Sequence, residues 1–547
     1  MTSTRPDPNG RVPFRLRIGV TGHRTLSDAS GLTACVKAVL DRARELVPGP
    51  ELLRKEKGDT SILLTVVSSL AEGADRLVAQ AVLDADPSAD LEAPLPLPVQ
   101  DYLADFESEE SKQRFLELWD EAGVQLEPDA GERPQCYEHV GRYVVDHCDV
   151  LVALWDHDPE RGRGGTAGIV EYAHRRKVPH FVIDTTTLEV TPELGPGLRW
   201  LGEVRQEWRR VNAYNYARVR PNKATRTADA IDNEMMEKLG GLIGGARVNR
   251  LADWLKPYMA RTGILAERCR TLYLILTALV FWLAAGAVVT VTSQVLFAPE
   301  VPELAIIELA MLLGLLLIVA LGRWRKISRR FICDRFLAER LREAQYLALA
   351  GVDAPRGGRF ERTYLGRRPE GWPWRGFGEV WKLRPDAHDI ALMDVETLRR
   401  VLTDVWIDGQ LDYHERSTAT NERLHFRFRW GSVALLSITV VAATLHAAGI
   451  GHGDEGLSWP NVFVLISIGA PALGGALSGI GAQREYKRHG ERSERMVEYL
   501  GEVRGDVEAA VGLDALKEAA RDAEQLMLAE NRDWFGIVSF HDLEPHS

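Results

Sequence analysis

Three observations predict the fold class: strands alternate with helices in the first third of the chain, four long apolar segments occupy the rest, and Lys and Arg crowd one end of each segment. Together they predict an α/β Rossmann-like N-terminal domain with a mostly parallel sheet, followed by a mainly α-helical membrane region with four transmembrane helices. A chain of 547 residues has room for more than one domain of roughly 150 residues.

The alternation starts with the apolar run 16–20, which ends in Thr21-Gly22-His23-Arg24 and precedes a helical stretch at 32–46. Run 61–67 leads through Ser68-Ser69-Leu70-Ala71-Glu72-Gly73-Ala74-Asp75 into a helix over 76–83. Run 150–155 ends in Asp156 and a loop, Gly162-Arg163-Gly164-Gly165-Thr166, that opens a helix through Ala173. Run 178–183 closes the series, so the domain spans about residues 11–187. The stretch 84–132, with 15 acidic residues against Lys112 and Arg114, reads as a solvated loop and helix face.

The apolar segments are 271–297, 304–322, 431–450 and 462–481, each long enough for a hydrocarbon core of roughly 30 Å. Arg261, Arg268 and Arg270 precede the first, and Arg323, Arg325, Lys326, Arg329 and Arg330 follow the second. Arg423, Arg427 and Arg429 precede the third, and Arg484, Lys487 and Arg488 follow the fourth. The two short turns carry no Lys or Arg, so the N-terminus, the middle region and the C-terminus are expected in the cytoplasm of a multi-pass inner-membrane protein. The expected organisation is a connector at 188–265, a first hairpin with a cytoplasmic helix at 266–350, a middle region at 351–430, a second hairpin at 431–481 and a helical tail at 482–547. Gly469, Ala470, Gly474, Gly475, Gly479 and Gly481 form a small-residue face suited to close helix packing within a bundle or in a homo-oligomer. Residues 356–384, with Trp372, Trp374 and Trp381, suggest an ordered aromatic loop near the membrane surface.

Composition excludes several function classes. Lys+Arg 67 against Asp+Glu 78 gives a net charge of −11, which argues against a nucleic-acid partner. The five cysteines form no CxxC pair, and the group Cys136, His139, His147, Cys148 lacks zinc-ligand spacing, so no metal is expected. A Walker A loop is absent and no cofactor is expected.

In a parallel sheet, ligands bind beyond the carboxyl ends of the strands, where helix N-termini offer free N–H groups. The three motif loops all fall there. The candidate ligand-binding residues are therefore Thr21, Gly22, His23, Arg24, Ser68, Glu72, Gly73, Asp75, Gly164, Gly165, Thr166 and Glu171, suited to a phosphate-bearing small molecule.

These residues resemble the SLOG superfamily, which joins LOG phosphoribohydrolases and the DNA-processing protein DprA. Ser68, Leu70, Ala71, Gly73 and Asp75 match the S-G-L-A-x-G-I-D signature, with Ser69 and Ala74 departing from it. Gly164, Gly165 and Glu171 match the spacing of P-G-G-x-G-T-x-x-E, with Arg163 in place of the Pro and Ala167-Gly168 in place of the Gly-Thr. Leu95-Pro96-Leu97-Pro98 with Tyr102, Asp105 and Phe106 is similar to SLOG proteins that carry membrane segments. The stretch Asp334 to Arg342 resembles the cytoplasmic helix of SLATT effectors, read here as amphipathic and reaching Leu349, and Glu530 to His541 resembles the end of such chains. The resemblance implies a sensor of a nucleotide or nucleotide-derived molecule coupled to membrane helices, as a pore in anti-phage defence or stress response. The alternative it implies is a membrane-anchored phosphoribohydrolase or NAD-consuming hydrolase with Glu171 as acid or base.

Overall fold

The structure is a computed structural model that describes residues 6–48, 60–126, 133–158, 165–193, 198–219, 234–325, 327–352, 371–450 and 458–540. The chain divides into two compact units, one formed by residues 1–218 and 356–383, the other by 219–355 and 384–547.

The first unit is built on a seven-stranded sheet of order β4-β3-β2-β1-β5-β6-β7. Its strands are β1 (Phe14–Gly22), β2 (Ile62–Val67), β3 (Asp90–Pro94), β4 (Val124–Leu126), β5 (Val150–Leu154), β6 (His180–Ile183) and β7 (Val190–Glu193). All neighbours are parallel except β7, which runs antiparallel to β6. The expected mostly parallel α/β sheet is present, with β1 at its centre. In β1 the period of two buries Phe14, Leu16, Ile18 and Val20, while β5 is buried along its whole length, as a strand covered on both faces must be. The helices are α1 (Ala29–Leu46), α2 (Ala74–Ala85), α3 (Val99–Leu103), α4 (Glu109–Glu121), α5 (Arg133–His147) and α6 (Thr166–Arg176). Asp28 caps α1 by accepting from the Gly31 N–H at 2.8 Å, and Ser108 caps α4 through the Ser111 N–H at 3.1 Å.

The acidic stretch corrects its expectation, because β3, α3, α4 and β4 all lie within 84–132. Glu92 is buried in β3 and paired: its Oε2 accepts from Arg17 Nη2 at 2.7 Å and its Oε1 from the Tyr143 hydroxyl at 2.9 Å. A buried carboxylate with a cation and a hydroxyl around it sits in a strand as well as an apolar residue does.

The unit also extends past residue 187. α7 (Leu198–Tyr216) seals the amino ends of β1 and β2 with two buried asparagines. Asn215 Oδ1 accepts from the Val12 N–H at 2.9 Å and its Nδ2 donates to Val12 O at 2.7 Å, while Asn212 Oδ1 accepts from Thr60 N–H at 3.1 Å. The Trp-rich segment joins the same unit as a helix, not a loop.

The second unit is helical. It comprises α8 (residues 234–243), α9 (Gly245–Phe297), α10 (Glu303–Arg325), α11 (Ile327–Ala350), α13 (Ala387–Ile390), α14 (Val395–Arg400), a π-helical segment (Val401–Ile407), α15 (Asp408–Ala447), α16 (Trp459–Gln483), α17 (Tyr486–Ala509) and α18 (Leu513–Phe540), with α12 (Trp372–Lys382) belonging to the first unit. Four helical stretches are long and apolar enough to cross a membrane: Gly245–Phe297, Glu303–Gly322, Val395–Ala447 and Trp459–Ala509. They contain the expected spans 271–297, 304–322 and 462–481, and the third helix covers 431–447 of the expected 431–450. The turn with Asp454 and Glu455 lies outside the described residues, as does His541.

The small-residue face of α16 is used within the chain. A side chain at Gly479 would meet the Phe281 ring of α9 at 2.3 Å, and one at Gly481 would meet Phe428 of α15 at 3.1 Å. Ser432 Oγ donates to Gly474 O at 3.0 Å across the α15–α16 contact. Gly475 alone of these glycines has nothing within 4 Å.

α11 departs from its expected amphipathic character. Phe331, Asp334, Leu337, Arg340, Glu343 and Leu347 are all buried, so the helix is covered nearly all round and its charges pair inside the bundle.

Candidate functional site

Three loops meet at the carboxyl edge of the sheet, and backbone bonds lock them together. The His23 N–H donates to Leu154 O at 3.2 Å, and the Ala74 N–H donates to His23 O at 2.9 Å. The end of β1 is thereby pinned to β5 on one side and to the first turn of α2 on the other. Gly22 makes the approach possible, since a Cβ there would lie 2.4 Å from Ala74 Cβ and 2.7 Å from Leu154 O. Gly73 has φ +74° and ψ −116°, a conformation for glycine, and a Cβ would fall 2.3 Å from Arg24 O.

Within this frame the expected residues play distinct parts. Thr21 and Gly22 are the last β1 residues, paired with Ala153 and Leu154 of β5. His23 is buried, with Nε2 2.7 Å from Asp156 Oδ1 and 3.1 Å from the Asp156 backbone nitrogen. The Asp156 backbone N–H donates to Nε2 and its carboxylate lies beside the same nitrogen, so one residue holds the imidazole edge through both groups. Arg24 is exposed, with its guanidinium 5.7 Å from the Tyr137 ring centroid.

Ser68 does not offer its hydroxyl outward. Its Oγ donates to Asp75 O at 3.2 Å and accepts from the Leu70 N–H at 3.1 Å, which holds buried Leu70 at φ +59°. Such a conformation in a leucine is a strained turn that the surrounding bonds impose. The outward-facing role passes to Ser69, whose Oγ donates to Asp75 Oδ2 at 2.5 Å. Burial pushes the Asp75 carboxyl up to about 6, against the bonds from Ser69 and the loop backbone and the field of Arg24, all of which lower it. Glu72 accepts from the Ser111 hydroxyl of α4.

Gly165 precedes α6 and Thr166 is its first residue, buried. Gly164, with Gly162 and Arg163, lies outside the described residues. The Glu171 side chain is 69% exposed and pairs with Arg175 at 3.7 Å along α6.

Sequence reading missed part of the cluster. Arg133 and the Tyr137 hydroxyl both donate to Asp105, and Tyr137 supplies the ring beside Arg24. The Tyr102 hydroxyl is fully buried close to Asp75 and Ser69, and burial pushes its pKa up, so it keeps its proton. Arg76 Nε donates to Leu70 O at 2.9 Å and its guanidinium lies 4.4 Å from the Phe106 ring centroid. The proline-flanked run before Tyr102 and Asp105 drew attention to those two, but nothing in the sequence marks Tyr137 as a neighbour of Arg24. The result is a polar cluster of Arg24, Ser69, Asp75, Tyr102, Asp105 and Tyr137 at the end of the central strand, able to present a cation, hydroxyls and a protonatable carboxyl to a small polar ligand.

Among the described residues no group of three or more His, Cys, Asp or Glu is placed to hold a metal ion. Cys148 is buried against Gly19, and His147 stacks on Tyr143 at 3.7 Å between ring centroids while its Nδ1 bonds Tyr143 O.

Fold and composition together define a membrane-protein class in which an α/β unit with a polar cluster at its carboxyl edge is joined to a helical unit with four helices able to span a bilayer. No protein-family model matches the chain, and no curated protein matches it in sequence.

Proposed function

We propose that the chain is a SLOG-type sensor and effector of the inner membrane: its α/β unit binds a nucleotide or nucleotide-derived signal, and its SLATT-like transmembrane helices respond, as a pore in anti-phage defence or stress response. Both soluble parts and both termini face the cytoplasm, as the Arg- and Lys-rich flanks require, and the chain assembles as a homo-oligomer. The observation that carries the reading is the convergence of the loops after β1, β2 and β5, with exposed Arg24 and the first turn of α2 at one edge.

The alternative hydrolase reading places its acid or base at Glu171, which is exposed and paired with Arg175 on α6. The His23 and Asp156 pair, 2.7 Å apart at the end of the central strand, is a second acid–base candidate for such a reaction.

The test uses the full chain in nanodiscs, titrated with AMP, NAD and ADP-ribose while product release is followed. Binding without turnover supports the sensor, and Arg24→Ala weakens it by about 1.5–3 kcal/mol. Failure of all three to bind, or unchanged affinity in Arg24→Ala, overturns the site, and turnover lost in His23→Ala moves the function to hydrolysis.

A further inference from the structure

The helical unit buries an ion cluster that the ligand site does not use. Arg340 of α11 is fully buried, and its Nη1 donates to Glu343 Oε2 of the same helix at 2.8 Å and to Glu524 Oε1 of α18 at 2.6 Å. Both carboxyl groups are buried as well, and Glu524 Oε2 has no hydrogen-bond partner. Two ionised carboxylates around one guanidinium would leave a net negative charge in a site closed to water, which costs several kcal/mol. Binding one proton between them removes it.

We propose that Glu343 and Glu524, sharing one nitrogen of Arg340, form a proton-operated latch that docks α18 onto α11. The latch matters to the membrane helices because α11 follows directly on α10, the second candidate span. With one proton bound, the cluster is neutral and α18 is held. With none, two carboxylates compete for one guanidinium across the α11–α18 contact and repel each other.

The groups facing Glu343 are Arg340 and Glu339 of its own helix and Glu524 of α18. Among the charges on other elements packed against α11, three have partners of their own. Arg250 of α9 pairs with Asp389 of α13, Asp404 of the π segment with Arg400, and Arg261 of α9 acts on Asp334. Burial pushes Glu343 from its ordinary 4.5 up to about 8, with the Glu524 charge adding to the rise and Arg340 opposing it, and burial raises Glu524 in the same direction. A carboxyl raised on folding binds its proton in the docked state. Docking is therefore favoured at low pH and weakens as pH rises from about 4.5 through about 8.

The experiment measures amide hydrogen exchange of residues 516–528 in the full chain in nanodiscs between pH 5 and 9, corrected for the intrinsic base-catalysed rate. In the wild type the opening constant of α18 rises with pH, by up to about tenfold per pH unit inside the window. Glu343→Gln and Glu524→Gln each leave one carboxylate for one guanidinium, and each flattens the profile while α18 stays protected at pH 9. A flat wild-type profile overturns the latch, as does a slope that persists unchanged in both variants. If a variant fails to fold, the wild-type slope and the other variant decide. The ligand site takes no part in this measurement, so its outcome is independent of the sensor reading.

Discussion

Replacing Gly73 by alanine tests whether the loop into α2 is locked onto the end of β1. Two costs can be worked from the structure. At φ +74° and ψ −116° an L-residue sits in a sparsely populated region, at about 1–3 kcal/mol. The new Cβ would stand 2.3 Å from Arg24 O and 2.4 Å from His23 O, both backbone atoms that cannot swing aside. The loop must therefore shift, and the 2.9 Å bond from Ala74 N–H to His23 O is lost at about 1 kcal/mol. The sum, about 2–4 kcal/mol, is a roughly 30- to 1,000-fold increase in local opening. Hydrogen exchange of the α2 amides reads it directly, with Gly168→Ala as control, since Gly168 lies in α6 with nothing within 4 Å of its added Cβ. A change below about threefold in Gly73→Ala would refute the lock and with it the argument that the first two motifs form one structural piece.

Two further predictions follow from the same kind of reading. Asp75 has a carboxyl raised from 3.8 to about 6 by burial, so its unit binds a proton on folding and loses stability as pH rises through that window; Asp75→Asn should flatten this part of the pH–stability profile, and an unchanged profile would show the group is not desolvated. In α16, Gly479→Leu should destabilise the bundle by about 1–3 kcal/mol by driving into Phe281, while Gly475→Leu should cost little, as thermal unfolding in nanodiscs can measure; equal damage at both positions would mean the Gly475 face is covered in the assembled protein.

The four spans were legible because a bilayer demands a long uncharged run, and nothing else in a sequence looks like one. The strands β1, β2, β5 and β6 were legible as apolar runs followed by turn residues. β3 was hidden by its own charges: Asp90-Leu91-Glu92-Ala93-Pro94 has the look of a loop until Arg17 and Tyr143 arrive from other elements to satisfy Glu92. The same limit applies to the loop serines Ser68 and Ser69. Their residue types suited a phosphate site, but whether a hydroxyl points outward or folds back onto Leu70 is decided by a turn conformation that composition does not encode. α11 is the converse case, since its charges suggested a wet face and instead find partners on α18.

The segment least legible in sequence, α12, belongs to the α/β unit although it follows the first membrane hairpin in the chain. Arg375 forks onto Asp149 with Nη1 2.9 Å from Oδ2 and Nη2 3.0 Å from Oδ1, and Asp149 is fully buried at the start of β5. Glu379 accepts from Arg15 Nε at 2.6 Å, and the Trp372 N–H donates to Glu207 of α7 at 2.6 Å. Depriving a buried carboxylate of its guanidinium costs about 3–5 kcal/mol, a large share of the stability of a typical domain. The α/β unit therefore needs residues that follow the first membrane hairpin in the chain, and the chain crosses between the units at Arg218, Pro355 and Leu383. β1 carries this contact at its amino end through Arg15 and the polar cluster at its carboxyl end through His23 and Arg24. In the chain, α12 is followed by α13, α14, the π segment and α15, the third candidate span.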